Sequence, residues 1–263
     1  STDINPNYYR DLTVGMGIRQ FYLMGISQTD PVVISAGSQD NGTSIYKADG
    51  VWYDWLGADG FESIIDVNDV NTVYGTIYNG SMYKSLDQGE NISGLNRPEE
   101  TGWVTPLEQH RNGNLYFGGS RVYISTNGGN SWGFISQILP DFTDQVKIAP
   151  SNSNVIYASV DSQLYKTTNG GASGVWPELT GFTGNINSIA IHPTDPDKVA
   201  IAVSGGSEKV YISSDGGATW SGSSQNLPDF TPFALVWDDN GNDGLYLGMN
   251  YGIYYIDNQF TEW

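Results

Sequence analysis

One short segment recurs six times along this 263-residue chain. Each copy sets an apolar residue before a tyrosine: Ile45-Tyr46, Met82-Tyr83, Val122-Tyr123, Leu164-Tyr165, Val210-Tyr211 and Ile253-Tyr254, with successive tyrosines 37 to 46 residues apart. Self-similarity at such a period means that the chain is built from one small unit, which cannot bury its apolar faces alone and must stack on its neighbours.

Two further segments keep phase with the tyrosine. About ten residues upstream lies an alternating apolar run with a small residue near its end: VVISAG, TVYGT, LYFGG, VIYAS, VAIAVSG and LYLGM. Upstream again comes a second apolar run that ends in a polar turn, as in FESIIDVNDVN and INSIAIHPTDPDK. Alternation over four to eight residues between turn formers reads as strand. The recurring Gly or Ala lets a neighbouring backbone approach closely. The expected fold is all-β, a propeller of about six four-stranded blades, since four strands per forty-odd residues is the blade period.

The turn after each tyrosine is the most specific signal. Residues 125–132 (STNGGNSW) and 213–220 (SSDGGATW) fit S/T-x-D/N-x-G-x-S/T-W throughout. Thr167, Asn169 and Gly171 open a third copy, with two extra residues before Trp176, and Ser85, Asp87 and Gly89 a fourth that lacks its tryptophan. The first and last repeats have lost the Ser/Thr and the glycine pair. The Asp or Asn oxygen suits the backbone N–H groups of its own turn, glycine takes the left-handed conformation, and tryptophan caps the hairpin. Ser125, Asn127, Gly129, Trp132, Ser213, Asp215, Gly217 and Trp220 are therefore expected to be scaffolding, as are their counterparts in the other two copies.

These turns resemble the Asp-box, or BNR, repeats of sialidases, sortilin ectodomains and the xyloglucan-cleaving propeller glycosidases. The order of motifs from Gln20 to Gly89 is similar to that of sortilin-like propellers in large secreted bacterial proteins. The resemblance implies a peripheral, structural role for the boxes, an extracellular or cell-surface setting, and further domains in the same polypeptide. Repeats fall at about 18–57, 61–95, 103–140, 141–183, 186–229 and 231–263. Residues 1–17 read as the outer strand of a preceding or closing repeat, because residues 9–16 (YRDLTVGM) match the stretch after Trp176. Either that strand closes a six-membered ring or the chain is a section of a larger propeller, and the resemblance favours the second.

Composition narrows the partners. A formal net charge of −18 repels phosphate backbones and anionic membranes, so neither nucleic acid nor membrane insertion is expected. No run of about 18 apolar residues occurs. The absence of cysteine rules out thiolate chemistry and Cys-bound zinc. The five arginines, Arg10, Arg19, Arg97, Arg111 and Arg121, come without the Phe-Arg-Ile-Pro motif expected of a sialidase. His110 and His192 sit in matching turns and read as turn variants, not metal ligands. The acidic run 238–244 (DDNGNDG) suggests calcium but lacks EF-hand spacing, so no cofactor or metal is assigned.

Departures from the repeat mark the candidate site. Gln39, Asp40, Asn41 and Gly42 follow the second strand of repeat one, and Gly57 to Gly60 (GADG) precede the first strand of repeat two. Asp40 and Asp59 are the candidate catalytic carboxylates, since glycoside hydrolysis needs two. Gln39, Trp52, Trp55, Glu62, Tyr78 and Trp103 are the candidate ligand-binding residues, with the aromatics as sugar platforms. In the xyloglucan-cleaving relatives an early-repeat aspartate is catalytic, and Asp40 is its nearest match. The opposing reading makes both loops Asx-type turns held by their own side chains. The functional expectation is a non-catalytic module that binds glycan or protein or acts as a scaffold; the alternative is a glycoside hydrolase acting on a β-glucan-type polysaccharide through Asp40.

Overall fold

The computed structural model describes residues 19–29, 32–238 and 240–263. The outer strand expected within residues 1–17 lies outside them. The described residues form twenty-three strands in six antiparallel sheets, each a meander whose strands pair in chain order.

Sheet one holds β1 (Met24–Ile26), β2 (Ile34–Ser38), β3 (Gly42–Tyr46) and β4 (Trp52–Leu56). Sheet two holds β5 (Ser63–Ile65), β6 (Val73–Ile77), β7 (Ser81–Ser85) and β8 (Ile92–Leu95). Sheet three is β9 (Leu107–Gln109), β10 (Leu115–Gly118), β11 (Val122–Ser125) and β12 (Gly133–Phe134). Sheet four is β13 (Gln145–Ala149), β14 (Asn152–Val160), β15 (Gln163–Thr167) and β16 (Glu178–Leu179). Sheet five is β17 (Asn185–Ile191), β18 (Val199–Ser204), β19 (Val210–Ser213) and β20 (Ser221–Gly222). Sheet six has three strands among the described residues: β21 (Pro232–Asp238), β22 (Gly244–Met249) and β23 (Ile253–Ile256).

The repeated tyrosine sits on the third strand of every sheet, and the alternating run with the small residue forms the second. Because strand side chains alternate, each sheet offers apolar residues on both faces and is sandwiched between neighbours. Five apolar clusters result, one at each successive sheet–sheet interface. Ile45, Trp55 and Val73 belong to the first, and Leu235, Trp237, Ala200 and Val210 to the last. Glycine is required where backbones nearly touch: a Cβ on Gly37 would lie 2.2 Å from the Phe61 carbonyl oxygen.

The four well-matched turns share one hydrogen-bond pattern. Ser213 Oγ donates to Asp215 Oδ1 at 2.8 Å and accepts the Gly217 N–H at 2.8 Å, while Asp215 Oδ1 accepts the Thr219 N–H at 2.8 Å. Ser85 with Asp87 and Ser125 with Asn127 repeat all three bonds, and Thr167 with Asn169 repeats the first two. These bonds hold the Asp87 and Asp215 carboxyls down at about 2, the bonds from Asn91 and Thr219 being the largest cause in each. The first and last turns use a different local bond, an Asx turn in which Asp49 accepts the Val51 N–H and Asp257 the Gln259 N–H. Trp176 is buried and donates from Nε1 to the Ile135 carbonyl, so the two-residue insertion still delivers its ring to the core.

First strands from all six sheets line one central cavity of about 760 Å³. The sheets are thus set radially around a channel, first strand innermost and fourth strand outermost. Connections between second and third strands, and from one sheet to the next, lie on one face of the ring. The four well-matched turns lie on the opposite face.

Candidate ligand-binding face

The first of these two faces collects most of the residues that depart from the repeat. Asp40 and Asn41 form the β2–β3 turn, with Asp40 left-handed at φ 61°. Asp59 approaches from the link into sheet two, and its Oδ1 accepts the Asp40 N–H at 2.7 Å. The two aspartates are therefore adjacent, joined by a backbone-to-carboxylate bond. Other sheets use the same turn: Asn79 and Asp161 are left-handed at the matching position, and Asp144 accepts the Asp161 N–H at 2.6 Å.

An aromatic row runs outward from this pair. Tyr22 donates its hydroxyl to Gln39 Oε1 at 3.0 Å and meets Phe61 edge-on. Phe61, fully buried, packs edge-on against Trp103, which stacks on Tyr78 with centroids 5.9 Å apart and planes 13° from parallel. Trp103 is 50% exposed, so one aromatic surface faces solvent. Gln39, Tyr78 and Trp103, far apart in sequence, are brought together by this row.

The other two tryptophans are placed differently. Trp55 is 4% exposed, donates from Nε1 to Ser35 Oγ and packs over Gly75 and Gly89. It fills the interface between sheets one and two and offers no surface to a ligand. Strand alternation does not account for this, since Trp55 and Leu56 are both buried where β4 shifts register against β3; the glycines of sheet two leave the room that the ring fills. Trp52 is half-exposed but opens β4 at the opposite end, where it stacks on Phe21.

Beside Trp103 lies a cleft of about 320 Å³, lined by Trp103, Phe142, Asp141, Asp144, Val160 and Asp161. Burial, with Asp161 and Asp141 close by, pushes the Asp144 carboxyl up, against the lowering effect of the Asp161 N–H. Sequence reasoning passed over this cleft, because Pro140 to Asp144 (PDFTD) reads as an ordinary linker. Its only signal was the length of the links on either side of repeat three.

Glu62 faces inward instead. It enters the channel with Glu108 and Lys147, side chains from three successive sheets, and Lys147 Nζ contacts Glu108 Oε1. Burial in the channel wall desolvates Glu62 and lifts its carboxyl to about 7, opposed by the Lys147 ammonium and a hydrogen bond from the Leu107 backbone. Burial likewise lowers Lys147, opposed by Glu62. Each of the three is partly exposed, but to the lumen. The histidines do turn work on the opposite face: His110 Nδ1 accepts the Asn112 N–H and His192 Nδ1 the Thr194 N–H, as Asp66 Oδ1 accepts that of Asn68. In the acidic run 238–244, Asp239 lies outside the described residues. Asp238 bonds Asn240, and Asp243 bonds Lys198. No cluster of three potential metal-binding side chains occurs among the described residues.

No family model and no curated protein sequence matches the chain. Solved structures do. An ancestral GH74 enzyme superposes on 90% of this chain and 36% of its own length, with a TM-score of 0.74 at 16% identity. The β-propeller domain of Cps50 (Swd1) from Myceliophteria thermophila matches 90% of this chain and 83% of that one, with a TM-score of 0.70 at 12% identity. The chain is a β-propeller. A GH74 xyloglucanase from Xanthomonas campestris also aligns, over 92% of this chain and 52% of its own, with a TM-score of 0.53 at 16% identity. The propeller thus spans about a third to a half of the two GH74 enzymes. Its six sheets are blades, and no helix among the described residues is long and apolar enough to cross a membrane.

Proposed function

We propose that this propeller is a non-catalytic module of a secreted or cell-surface protein that binds glycan through the face carrying Tyr78 and Trp103. One observation carries the reading. Trp103 is half-exposed, stacked from behind by Tyr78, and forms the wall of a cleft that also holds Phe142 and three aspartates. A rigid aromatic face suits the apolar side of a sugar ring, and carboxylates accept hydrogen bonds from its hydroxyls. The acidic surface disfavours anionic glycans, so neutral polysaccharides are the expected ligands. An extracellular setting rests on the resemblance to Asp-box propellers.

The test is binding of neutral polysaccharides, by array and then calorimetry, to the chain and to Trp103→Ala. Loss of the platform is expected to weaken binding at least about tenfold, or about 1.4 kcal/mol. Trp52→Ala, at the far end of its strand, is expected to bind as the parent does. Unchanged binding by Trp103→Ala sinks the proposal.

The adjacency of Asp40 and Asp59 supports a second reading, hydrolysis of a β-glucan-type polysaccharide through Asp40. It is the weaker one, because one Asp59 oxygen already serves the Asp40 backbone. Reducing-end release by the chain, abolished in Asp40→Asn, would establish it over the binding reading.

A further inference from the structure

Blade six is apolar on both faces, and among the described residues one of them is uncovered. Cross-strand pairing puts Val236, Tyr246 and Tyr255 on one face, together with Ala234, Gly248 and Ile253. The opposite face, with Leu235, Trp237, Leu245 and Leu247, is buried on blade five.

The other five blades show what normally covers the first of these faces. The residue before the marker tyrosine is Ile45, Met82, Val122, Leu164 or Val210 in blades one to five, none more than 2% exposed. Its counterpart Ile253 is 78% exposed. The second strand repeats the comparison. Tyr74, Tyr116 and Tyr157 occupy one equivalent position in blades two, three and four, each at most 2% exposed, whereas Tyr246 at the same register is 43% exposed. Val236 is exposed where Ala190 is buried. In every earlier blade these positions lie beneath the next blade in the chain. Across the remaining gap, Met24 and Ile26 of blade one are exposed as well.

We propose that this face of blade six seats a further blade, a four-stranded antiparallel sheet of the same repeat type. The interface between blades five and six specifies the chemistry the newcomer must bring. There, Leu235, Trp237, Leu245 and Leu247 cover Ala190, Ala200, Ala202 and Val210. Trp237 Nε1 donates to the Ala190 carbonyl at 3.1 Å, and the Leu235 N–H donates to Ser188 Oγ at 3.1 Å. An incoming inner strand with Leu and Trp two residues apart would meet Ala234, Val236 and Ile253 in the same manner. Exposed apolar faces of this extent mark interaction surfaces.

The test uses the repeat itself. Trp263 stands where Trp220 stands one repeat earlier, so a second copy of residues 221–263 joined after Trp263 continues the series in phase. The lengthened chain is expected to melt at least about 5 °C higher than the parent, a gain that Ile253→Asp in the first copy cancels. In the parent chain, Ile253→Asp is expected to move the melting point by less than about 2 °C, whereas Val210→Asp lowers it by about 10 °C or prevents folding. No gain on lengthening, or a gain that survives Ile253→Asp, overturns the proposal. So does an Ile253→Asp penalty in the parent as large as that of Val210→Asp, which would mean that the chain covers this face itself. Sedimentation supplies the last arm: a dimer that Ile253→Asp dissociates makes a second copy the occupant, and the further blade is then wrong.

Discussion

At the scale of single residues, the repeated turns work through one buried hydroxyl. Ser213 is buried and is both donor to Asp215 and acceptor from Gly217, so removing it strands a backbone N–H away from water. Such a loss costs about 1–3 kcal/mol. Ser213→Ala is expected to lower unfolding free energy by about 1–2 kcal/mol in urea titration, with glycan binding untouched. A penalty below about 0.3 kcal/mol would mean that the turn does not depend on the hydroxyl. The place of these turns and the role of their Asp or Asn were legible in the sequence, because every bond joins residues at most four apart, whereas the double role of the hydroxyl was not. Trp55 was not legible in that way. Its sequence neighbours place it in an irregular loop region, but its burial depends on Gly75 and Gly89 of the next blade leaving room for the ring.

At the scale of elements, blades approach one another through small residues on their second strands. The Gly37 position is 2.2 Å from the Phe61 carbonyl for a notional Cβ, and both partners are backbone, so neither side chain can swing aside. Gly37→Ala is therefore expected to cost more than about 2 kcal/mol, read as a lower urea midpoint. Gly94→Ala, on β8 with open space around it, serves as the control and is expected to shift stability by less than about 1 kcal/mol. A tolerated Gly37→Ala would show that the blade interface gives way more readily than close packing allows. The six sheets and their order along the chain followed from periodicity alone. The cleft beside Trp103 did not, since it is made by two links that are bland in sequence and meet only because consecutive blades are adjacent.

At the scale of the whole molecule, the channel draws charged side chains from three blades together. Glu62 sits at about 7 against an ordinary value of 4.5, so the folded state holds its proton more tightly than the unfolded chain does. The contribution of this group to stability therefore falls as pH rises from about 4.5 to about 7. Glu62→Gln keeps the shape and removes the titration. Relative to the parent, the variant is expected to gain about 2 kcal/mol between pH 5 and pH 8 in urea unfolding. A variant that instead becomes relatively less stable at pH 8 would show that the ionised carboxylate, through Lys147, is a net support of the fold. Two features, then, separate along the chain's own length scale. By itself the sequence determined the repeat, the strands, the turns that clamp them and the propeller class, because all of these rest on contacts within some forty residues. Only the tertiary structure decided which departures from the repeat meet. It joined Gln39 to Trp103 through Tyr22 and Phe61, put Trp55 inside, gathered Glu62, Glu108 and Lys147 into the lumen, and left the face of Ile253 uncovered among the described residues. Those outcomes depend on radial stacking of whole blades, and no local pattern of residues encodes which neighbour a face will find.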